Sequence, residues 1–162
     1  MDLGCGDGKL ATHFFRKAKQ DKKTKRRYHI LKDIKSFDLV ANKPFIKACD
    51  ISKLTEKDNT ADLTVFCLSL MGTNYSSFIK EALRVLKKNG ILLIAEVSSR
   101  LVDLDGFIKK LNQYGAELES KRDIQGYFYL LTFSKKTEDW CNISNTDEEW
   151  TKLLKPCIYK KR

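Results

Sequence analysis

The sequence has few histidines and prolines and no long hydrophobic run. With 2 histidines and 5 cysteines that form no C-x-x-C pair, it shows no zinc-site pattern, so we predict reduced thiols and no metal. The 2 prolines and 32% charged residues favour a soluble globular protein. No apolar stretch approaches the roughly 18 residues of a membrane span, and no basic segment followed by an apolar one marks a secretory signal. We therefore expect an intracellular protein without a membrane segment.

The length and composition predict one domain with a substantial core. The chain has 162 residues, of which 42% are hydrophobic and 10% aromatic. Patterns typical of strands and helices extend over residues 1–135, which we predict to form the domain. Residues 136–162 contain both tryptophans in a weakly patterned tail that can pack on this domain, and the sequence leaves the fold of the tail open. Cys49 and Cys67 lie in apolar runs and are expected to act as small hydrophobic side chains.

The positive charge is concentrated in one segment. The net charge is +10, and residues 16–35 contain ten lysines or arginines against two aspartates, which leaves +8 in this basic block. Such a block favours a phosphate-rich partner. The alternative, at nearly equal weight, is a solvated surface insertion, because charge runs often serve only solubility.

Residues 1–9 read as the end of a strand that turns into a helix. The turn contains three glycines at every second position, namely Gly4, Gly6 and Gly8. Glycine permits a positive φ and close approach of a ligand to the backbone. Lys9 stands where a dinucleotide fingerprint has its third glycine, and Asp2 and Asp7 place negative charge where a pyrophosphate would lie. The turn therefore favours a cofactor without phosphates, although short glycine-rich turns also occur in many folds without binding anything.

Periodicity predicts alternating strands and helices. We expect strands near residues 34–40, 46–51, 61–70 and 91–97, an antiparallel pair at 116–122 and 127–134, and helices near 9–19, 75–87 and 104–114. Asn74 is predicted to cap the second helix, and Asn89 with Gly90 to stop it. Strands that alternate with helices require a mostly parallel sheet with helices on both faces. The fold class is therefore α/β.

Several candidate site residues follow predicted strands. Ligands bind at the carboxyl ends of strands in such sheets, and Gly4, Asp38, Asp50 and Cys67 all lie near those ends. Asp38 is expected to accept hydrogen bonds from ribose hydroxyls. It follows Gly4 by 34 residues rather than the usual distance of about 20, because the basic block is inserted between them. His13, on the first helix, is expected to be a structural or surface residue.

The glycine turn, Asp-Leu-Gly-Cys-Gly-Asp-Gly, resembles the first motif of class I S-adenosylmethionine-dependent methyltransferases. Residues 37–39 (Phe-Asp-Leu), 48–51 (Ala-Cys-Asp-Ile), 65–74 (Val-Phe-Cys-Leu-Ser-Leu-Met-Gly-Thr-Asn) and 95–100 (Ala-Glu-Val-Ser-Ser-Arg) resemble, in order and wording, the nucleomethylin family of ribosomal RNA-processing methyltransferases. The resemblance covers roughly residues 1–135. It implies the Rossmann-like seven-strand methyltransferase sheet, S-adenosylmethionine as cofactor, and N1-methylation of an adenine in large-subunit ribosomal RNA in the nucleolus. It also implies that an upstream cofactor contact of the family lies outside this chain.

The resemblance assigns roles to particular positions. By matching motif, Gly4 and Gly6 touch the cofactor, Asp38 its ribose, Asp50 and Ile51 border the adenine, and Cys67 lies under the cofactor near the methyl-transfer face. Ribosomal RNA is the implied partner, and pre-ribosomal or chromatin proteins are further candidates. Nothing in the resemblance implies a metal.

Methyl transfer makes few chemical demands on the protein. The sulfonium is already activated, so the protein mainly positions nucleophile, methyl carbon and sulfur. The polar candidates near the acceptor are Asn74 and Glu96, but Asn74 is also a candidate helix cap and Glu96 a candidate solvent-facing or structural carboxylate. N1 lies on the Watson–Crick edge, so the target must be unpaired or flipped out. The basic block, with Tyr28, is a candidate contact for the RNA backbone.

Two other functions stay open on the sequence. The first is a non-catalytic module that binds the cofactor or RNA, or associates with chromatin. The second is a methyltransferase with a protein or small-molecule substrate. The Asn-Pro-Pro-Tyr loop of many amino-group methylating enzymes is absent, which favours ring-nitrogen chemistry.

Overall fold

The structure of the chain, a computed structural model, describes residues 1–24, 33–137 and 147–157. Within this part, the strands are β1 (Asp2–Leu3), β2 (Ser36–Asp38), β3 (Ile46–Ala48), β4 (Ala61–Cys67), β5 (Leu86–Val97), β6 (Ala116–Ile124) and β7 (Phe128–Lys135). The helices are α1 (Lys9–Thr24), α2 (Tyr75–Val85), α3 (Leu104–Gln113) and α4 (Asp147–Thr151). A single 3-10 turn, Ser98–Arg100, follows β5. Residues 25–32 of the basic block, and with them Tyr28, lie outside the described residues.

The described strands form one seven-stranded sheet in the order β3-β2-β1-β4-β5-β7-β6. The first five strands in sequence are parallel to one another, whereas β7 is antiparallel to both β5 and β6. Parallel neighbours need crossover connections, which α1 and α2 supply before β2 and β5. This architecture confirms the predicted α/β class, with its mostly parallel sheet and terminal antiparallel pair.

The core lies on one face of β4, β5 and β7. Along β5, alternate residues such as Leu92 and Ile94 are fully buried, while their neighbours are half-buried. Phe66 and Phe133 bury their rings on the neighbouring strands. Helix α2 packs on β5 and α3 on β6, with apolar stripes at helical spacing. The central sheet therefore gives a rigid base to the loops that follow its strands.

The end of the fourth strand and the cap of the following helix differ from prediction, although that helix begins at Tyr75 as expected. Strand β4 ends at Cys67 rather than at residue 70, because Leu68 adopts a left-handed conformation with φ 56° and its N–H donates to Ala95 O at 2.9 Å. Asn74 precedes α2, but its side chain makes no capping hydrogen bond to any described residue. Its amide therefore stays available for other contacts.

Helices α1 and α2 also end at residues other than the predicted ones. Helix α1 continues to Thr24, five residues beyond the expected end at 19, and thus enters the basic block. Helix α2 stops at Val85, because Leu86 is extended with φ −76° and ψ 132° and already begins β5. Asn89 does take the left-handed conformation, with φ 62°, but it does so within β5 rather than at the helix end.

The described part of the tail, residues 147–157, packs on the domain. Trp150 of α4 is fully buried, with edge-on contacts to Tyr75 and Phe107 and a tilted contact to Tyr114. The Tyr75 hydroxyl donates to the carbonyl of Trp150. Beyond α4, Leu154 forms a bridge with Leu101. Within the described ranges, no helix has the length and apolar character needed to cross a membrane.

Candidate functional site

A cavity of about 620 Å³ opens where β1, β2, β3 and β4 end. This size is typical of small-molecule sites. One side, which we call the glycine wall, consists of Gly4, Cys5, Gly6, Asp38, Leu39, Cys49, Asp50 and Ile51. A second group of lining residues, the loop wall, consists of Cys67, Leu68, Ser69, Met71, Gly72, Asn74 and Phe78. The structure thus brings every residue that the sequence predicted to contact a cofactor to one cavity.

The glycine turn is held in place by backbone hydrogen bonds to β2. The N–H groups of Gly4 and Cys5 donate to Phe37 O at 2.9 and 3.0 Å. Gly4 has φ +71°, and a Cβ added there would lie 2.5 Å from Cβ of Ser69. Gly6 has φ +53°, and a Cβ added there would have no other atom within 4 Å. Gly4 is therefore required for close approach to the loop wall, whereas Gly6 leaves open space in the cavity.

Asp38 links the glycine turn to the end of β2. Its Oδ2 accepts a hydrogen bond from Gly6 N at 2.8 Å, and its Oδ1 accepts one from Val40 N at 3.2 Å. A carboxylate has about four acceptor positions, so both oxygens retain capacity for hydroxyl donors in the cavity. Leu39, next to it, is 73% exposed and lines the same wall. Sequence reasoning missed Leu39, although an exposed apolar residue directly after a strand-end carboxylate is a usable signal.

Asp50 and Ile51 lie at the end of the glycine wall that follows β3. Asp50 is exposed, and its Oδ1 accepts from Ser52 N at 2.9 Å, which together with the Ser52 hydroxyl lowers the pKa of this carboxyl. Ile51 is buried, with 7% exposure. The pair presents an ionised carboxylate beside an apolar surface, an arrangement that suits a purine ring with an exocyclic amino group.

Three cysteines line the cavity. Burial raises the pKa of Cys5 to about 11, and it also raises the pKa of Cys67. Both thiols are therefore neutral near pH 7 and poor nucleophiles. Cys67 is exposed at the end of β4, where it lines the cavity at the place predicted for a residue beside the cofactor. Cys49 is half-buried in the same cavity.

The loop wall carries a polar side chain, the amide of Asn74. Asn74 is exposed in the cavity, and a Cβ added to Gly72 would lie 2.5 Å from Asn74 Oδ1. The Ser69 hydroxyl donates to Leu3 O at 2.7 Å and so ties this wall to β1. Sequence reasoning did not assign roles to Ser69, Met71 or Phe78. The signal was present, since all but Phe78 belong to the distinctive string at 65–74.

Glu96 does not line the cavity. It is fully buried on β5, and its Oε2 pairs with Arg100 Nη1 at 2.6 Å. Burial raises the pKa of Glu96, while Arg100 and the N–H groups of Val97 and Leu70 lower it. This placement favours the structural alternative over a catalytic or solvent-facing carboxylate.

Two other groups from the sequence analysis lie away from the cavity. His13 is exposed on α1, with an edge contact to Phe14 at 5.5 Å, as expected of a surface residue. Asp2 is only 3% exposed in β1, and burial raises its pKa to about 6. Among the residues that the structure describes, no group of three or more His, Cys, Asp or Glu side chains is arranged to hold a metal ion.

A family model and several curated proteins match this chain along its whole length. The family model, described as "Hypothetical methyltransferase", matches residues 1–162. Ribosomal RNA-processing protein 8 of Dictyostelium discoideum is 43% identical over 171 residues, covering 99% of this chain and 40% of that protein. The 25S rRNA (adenine(645)-N(1))-methyltransferase of Schizosaccharomyces pombe is 41% identical over 163 residues, covering 99% of this chain and 46% of that protein. The chain thus spans less than half the length of these relatives.

Solved structures share the fold at low sequence identity. A SAM-dependent methyltransferase from Methanosarcina mazei superimposes with a TM-score of 0.58 at 16% identity, covering 85% of this chain and 92% of that chain. The Burkholderia thailandensis 1,6-didemethyltoxoflavin-N1-methyltransferase, solved with S-adenosylhomocysteine, gives a TM-score of 0.61 at 14% identity, covering 84% of this chain and 70% of that chain. These likenesses establish the class I methyltransferase fold.

Proposed function

Because the chain belongs to the methyltransferase family whose model covers all 162 residues, we propose that it transfers a methyl group from S-adenosylmethionine to N1 of an adenine in large-subunit ribosomal RNA. One observation carries the proposal. A single cavity gathers the glycine turn, Asp38, Asp50 and the distinctive loop, in a chain whose relatives are named for ribosomal RNA processing and for adenine N1-methylation.

The residues of the glycine wall fit the cofactor. Gly6 leaves room for the methionine portion against the turn, Gly4 lines the same space, and Asp38 retains acceptor capacity for the ribose hydroxyls. Asp50 and Ile51 provide a carboxylate and an apolar surface for the adenine, and Leu39 offers a second apolar surface. Cys67, neutral at the end of β4, borders the space where the sulfonium would lie. No phosphate-binding group is needed, which agrees with the acidic character of the turn.

The cofactor supplies an activated methyl group on a sulfonium. The residues of the loop wall then have to exclude water and hold the acceptor ring in line with the methyl carbon, which is the main contribution of positioning to such a transfer. N1 of a neutral adenine carries its own lone pair, so no general base is required. The methylated ring gains positive charge, and the carbonyl oxygen of the Asn74 amide is the polar group of the loop wall suited to stabilise it.

The acceptor has to reach the cavity as an unpaired base. N1 lies on the Watson–Crick edge, so a paired adenine must first leave its helix. The basic block at 16–35 is a candidate contact for the RNA backbone through its excess of eight positive charges. Action on ribosomal RNA implies a nuclear, and more narrowly a nucleolar, site of action, with pre-ribosomal proteins as candidate partners.

The proposal can be tested in two steps with the 162-residue chain. Calorimetric titration with S-adenosylmethionine and S-adenosylhomocysteine measures the cofactor site. Incubation with labelled S-adenosylmethionine and large-subunit ribosomal RNA then measures transfer. N1-methyladenine blocks pairing, so reverse transcription should stop at the modified base. Cofactor binding without methylated RNA would contradict the proposed reaction, and label in co-purified protein would favour a protein substrate instead.

A further inference from the structure

Glu96 and Arg100 hold one residue of the loop behind the cavity by both of its backbone polar groups. Leu70 N donates to Glu96 Oε1 at 3.3 Å, and Arg100 Nη2 donates to Leu70 O at 2.6 Å. The two side chains pair with each other at 2.6 Å. Arg100 Nε also donates to Lys155 O at 2.9 Å, which ties the C-terminal segment to the same point. Glu96 is fully buried and the Arg100 side chain is 11% exposed.

Glu81 and Arg84 hold a second leucine in the same way. Leu54 N donates to Glu81 Oε2 at 2.7 Å, and Arg84 Nη2 donates to Leu54 O at 3.0 Å. The guanidinium and the carboxylate form a two-pronged pair, with Nε to Oε1 at 2.7 Å and Nη2 to Oε2 at 2.8 Å. Arg84 Nη1 also donates to Glu56 O at 2.9 Å. Each Glu–Arg pair thus holds one leucine by its backbone N–H and carbonyl, and we call each pair a clamp.

The clamped leucines adjoin different walls of the cavity. Leu70 lies between Ser69 and Met71, which both line the loop wall. Leu54 follows shortly after Ile51 of the glycine wall. The segment between Ile51 and Leu54 is compact, because Lys53 N donates to Asp50 O at 2.9 Å. Displacement of Leu70 would therefore act first on the lining residues of the loop wall, and displacement of Leu54 on those of the glycine wall.

The loop wall needs such a restraint. Leu68 adopts φ 56°, a conformation that is unfavourable for a residue with a branched side chain and that persists where its surroundings fix it. Leu68 N is held by Ala95 O, and the Glu96–Arg100 clamp fixes the chain two residues later. Both anchors come from β5 and the turn after it. The loop wall is thereby built on the central sheet rather than on its own local turns.

We propose that the two clamps set the two walls separately: Glu96 and Arg100 position the acceptor through the loop wall, and Glu81 and Arg84 position the adenine side of the cofactor through the glycine wall. These four are positioning residues, since none of them lines the cavity. The inference rests on the proposed function for its reading of the two walls. Small displacements matter for transfer, because a shift of about 1 Å can lower the rate about 100-fold.

The test compares Arg100→Lys with Arg84→Lys in the 162-residue chain. Lysine keeps the charge but loses the planar fork that holds carboxylate and carbonyl together. Three quantities are measured: hydrogen exchange of residues 50–56 and 68–74, the dissociation constant of S-adenosylhomocysteine, and the single-turnover rate of methyl transfer to RNA at saturating cofactor. Lys87→Ala, which removes an exposed ion pair with Asp62 at 2.7 Å, controls for loss of a surface charge.

The two variants should affect different quantities, the transfer rate in one case and cofactor affinity in the other. Arg100→Lys should raise exchange at 68–74 and lower the transfer rate about 10- to 100-fold, with the dissociation constant changed less than about threefold. Arg84→Lys should raise exchange at 50–56 and weaken cofactor binding about tenfold, with the saturated rate nearly unchanged. Equal effects of both variants on both segments would overturn the proposal, since they would indicate general destabilisation.

A replacement variant and a second readout cover the cases in which a variant does not fold or no RNA is methylated. If Arg100→Lys does not fold, Glu96→Gln takes its place, because the amide oxygen still accepts from Leu70 while the ion pair is lost. If the unaltered chain binds S-adenosylhomocysteine but methylates no RNA, the proposed function fails. The clamps are then decided by exchange and cofactor affinity alone, and unchanged exchange at both segments would overturn them.

Discussion

The two walls of the cavity are built by different means. The glycine wall is formed where short strands end, and backbone groups of neighbouring strands hold its turn, as when Gly4 and Cys5 donate to Phe37 O, with a side-chain clamp only beyond Ile51, where Glu81 and Arg84 hold Leu54. The loop wall follows one long central strand, and side chains hold it directly, including the Glu96–Arg100 clamp, which also binds the C-terminal segment. The difference shows that strand ends can form most of one side of a site while another side depends on side chains of the assembled core.

The largest effect should come from the C-terminal segment that supports the loop wall. Trp150→Ala removes a fully buried ring from contacts with Tyr75, Phe107 and Tyr114, which should lower the free energy of unfolding by about 3–5 kcal/mol. Denaturant unfolding measures this change. Calorimetry on the folded variant should show affinity for S-adenosylhomocysteine retained, since the glycine wall does not depend on Trp150.

Trp150→Phe is the matched control. It keeps an aromatic ring in place and removes an indole N–H that has no hydrogen-bond partner within the described residues. We expect it to destabilise the protein clearly less than the alanine variant. Equal destabilisation by both would argue against ring packing as the cause.

The next effect should distinguish two glycines of the glycine wall. Gly4→Ala combines a left-handed backbone with a Cβ 2.5 Å from Ser69 Cβ, and should destabilise the protein by about 2–4 kcal/mol. Gly6→Ala meets no atom within 4 Å and should cost only about 1 kcal/mol, for the backbone conformation. Thermal or denaturant unfolding of the pair tests this order. Equal losses would mean that contact with the loop wall does not restrict Gly4.

Asp38→Ala should act mainly on the cofactor. It removes the acceptor for Gly6 N at 2.8 Å and the acceptor positions proposed for the ribose. Hydrogen bonds to a charged group contribute about 1.5–3 kcal/mol, so calorimetry should show S-adenosylhomocysteine binding about 10- to 100-fold weaker. Asp62→Ala is the control, because it removes a carboxylate from the opposite end of β4. Comparable weakening in both variants would show that overall charge, rather than the position of Asp38, controls affinity.

The smallest effect should be a pH dependence due to Asp2 beneath the glycine turn. Burial raises its pKa from 3.8 to about 6, so the folded state holds this proton more tightly than the unfolded state does. The free energy of unfolding should therefore fall as the pH rises from about 4 to about 6 and stay lower above that range. Each unit by which the pKa differs between the folded and unfolded states corresponds to about 1.4 kcal/mol in the free energy of unfolding.

Asp2→Asn should remove this dependence. The amide cannot ionise, but its own burial offsets part of the gain, so we expect the variant to be about 1–2 kcal/mol more stable at pH 7. Urea unfolding at pH 4, 5, 6 and 7 compares the two proteins. Parallel curves for the variant and the unaltered chain would show that Asp2 does not carry the effect.

Sequence patterns were most reliable where a few neighbouring residues decide the outcome. The positions of Gly4, Asp38, Asp50 and Ile51 at one cavity followed from strand ends and the family resemblance, and the roles assigned to them stay predictions. Patterns were less reliable where two signals competed. Asn74 was expected to cap α2, yet its side chain faces the cavity and leaves the helix start uncapped by any described side chain.

Other features depended on contacts between distant residues. Glu96 resembles a polar residue near the acceptor when only sequence is considered, because it closes a strand near the binding edge. Glu96 is buried because β5 is flanked by β4 and β7. This burial and the pairing with Arg100 follow from the folded structure and not from the local sequence pattern. The tail has only a weak sequence pattern, since its described part is attached by a few contacts, chiefly Trp150 on a five-residue helix and Leu154 beyond it.

Local patterns in the sequence were enough to predict the succession of strands and helices along the chain, the turn at Gly4 and the carboxylates at the strand ends. These depend on backbone preferences and on apolar periodicity, which act over a few residues. The way in which the loop wall is held followed only from the folded structure, where contacts join residues 26, 30 and 55 positions apart. Such contacts form only after the chain has folded, because burial then strengthens an ion pair and leaves each backbone polar group in need of a partner.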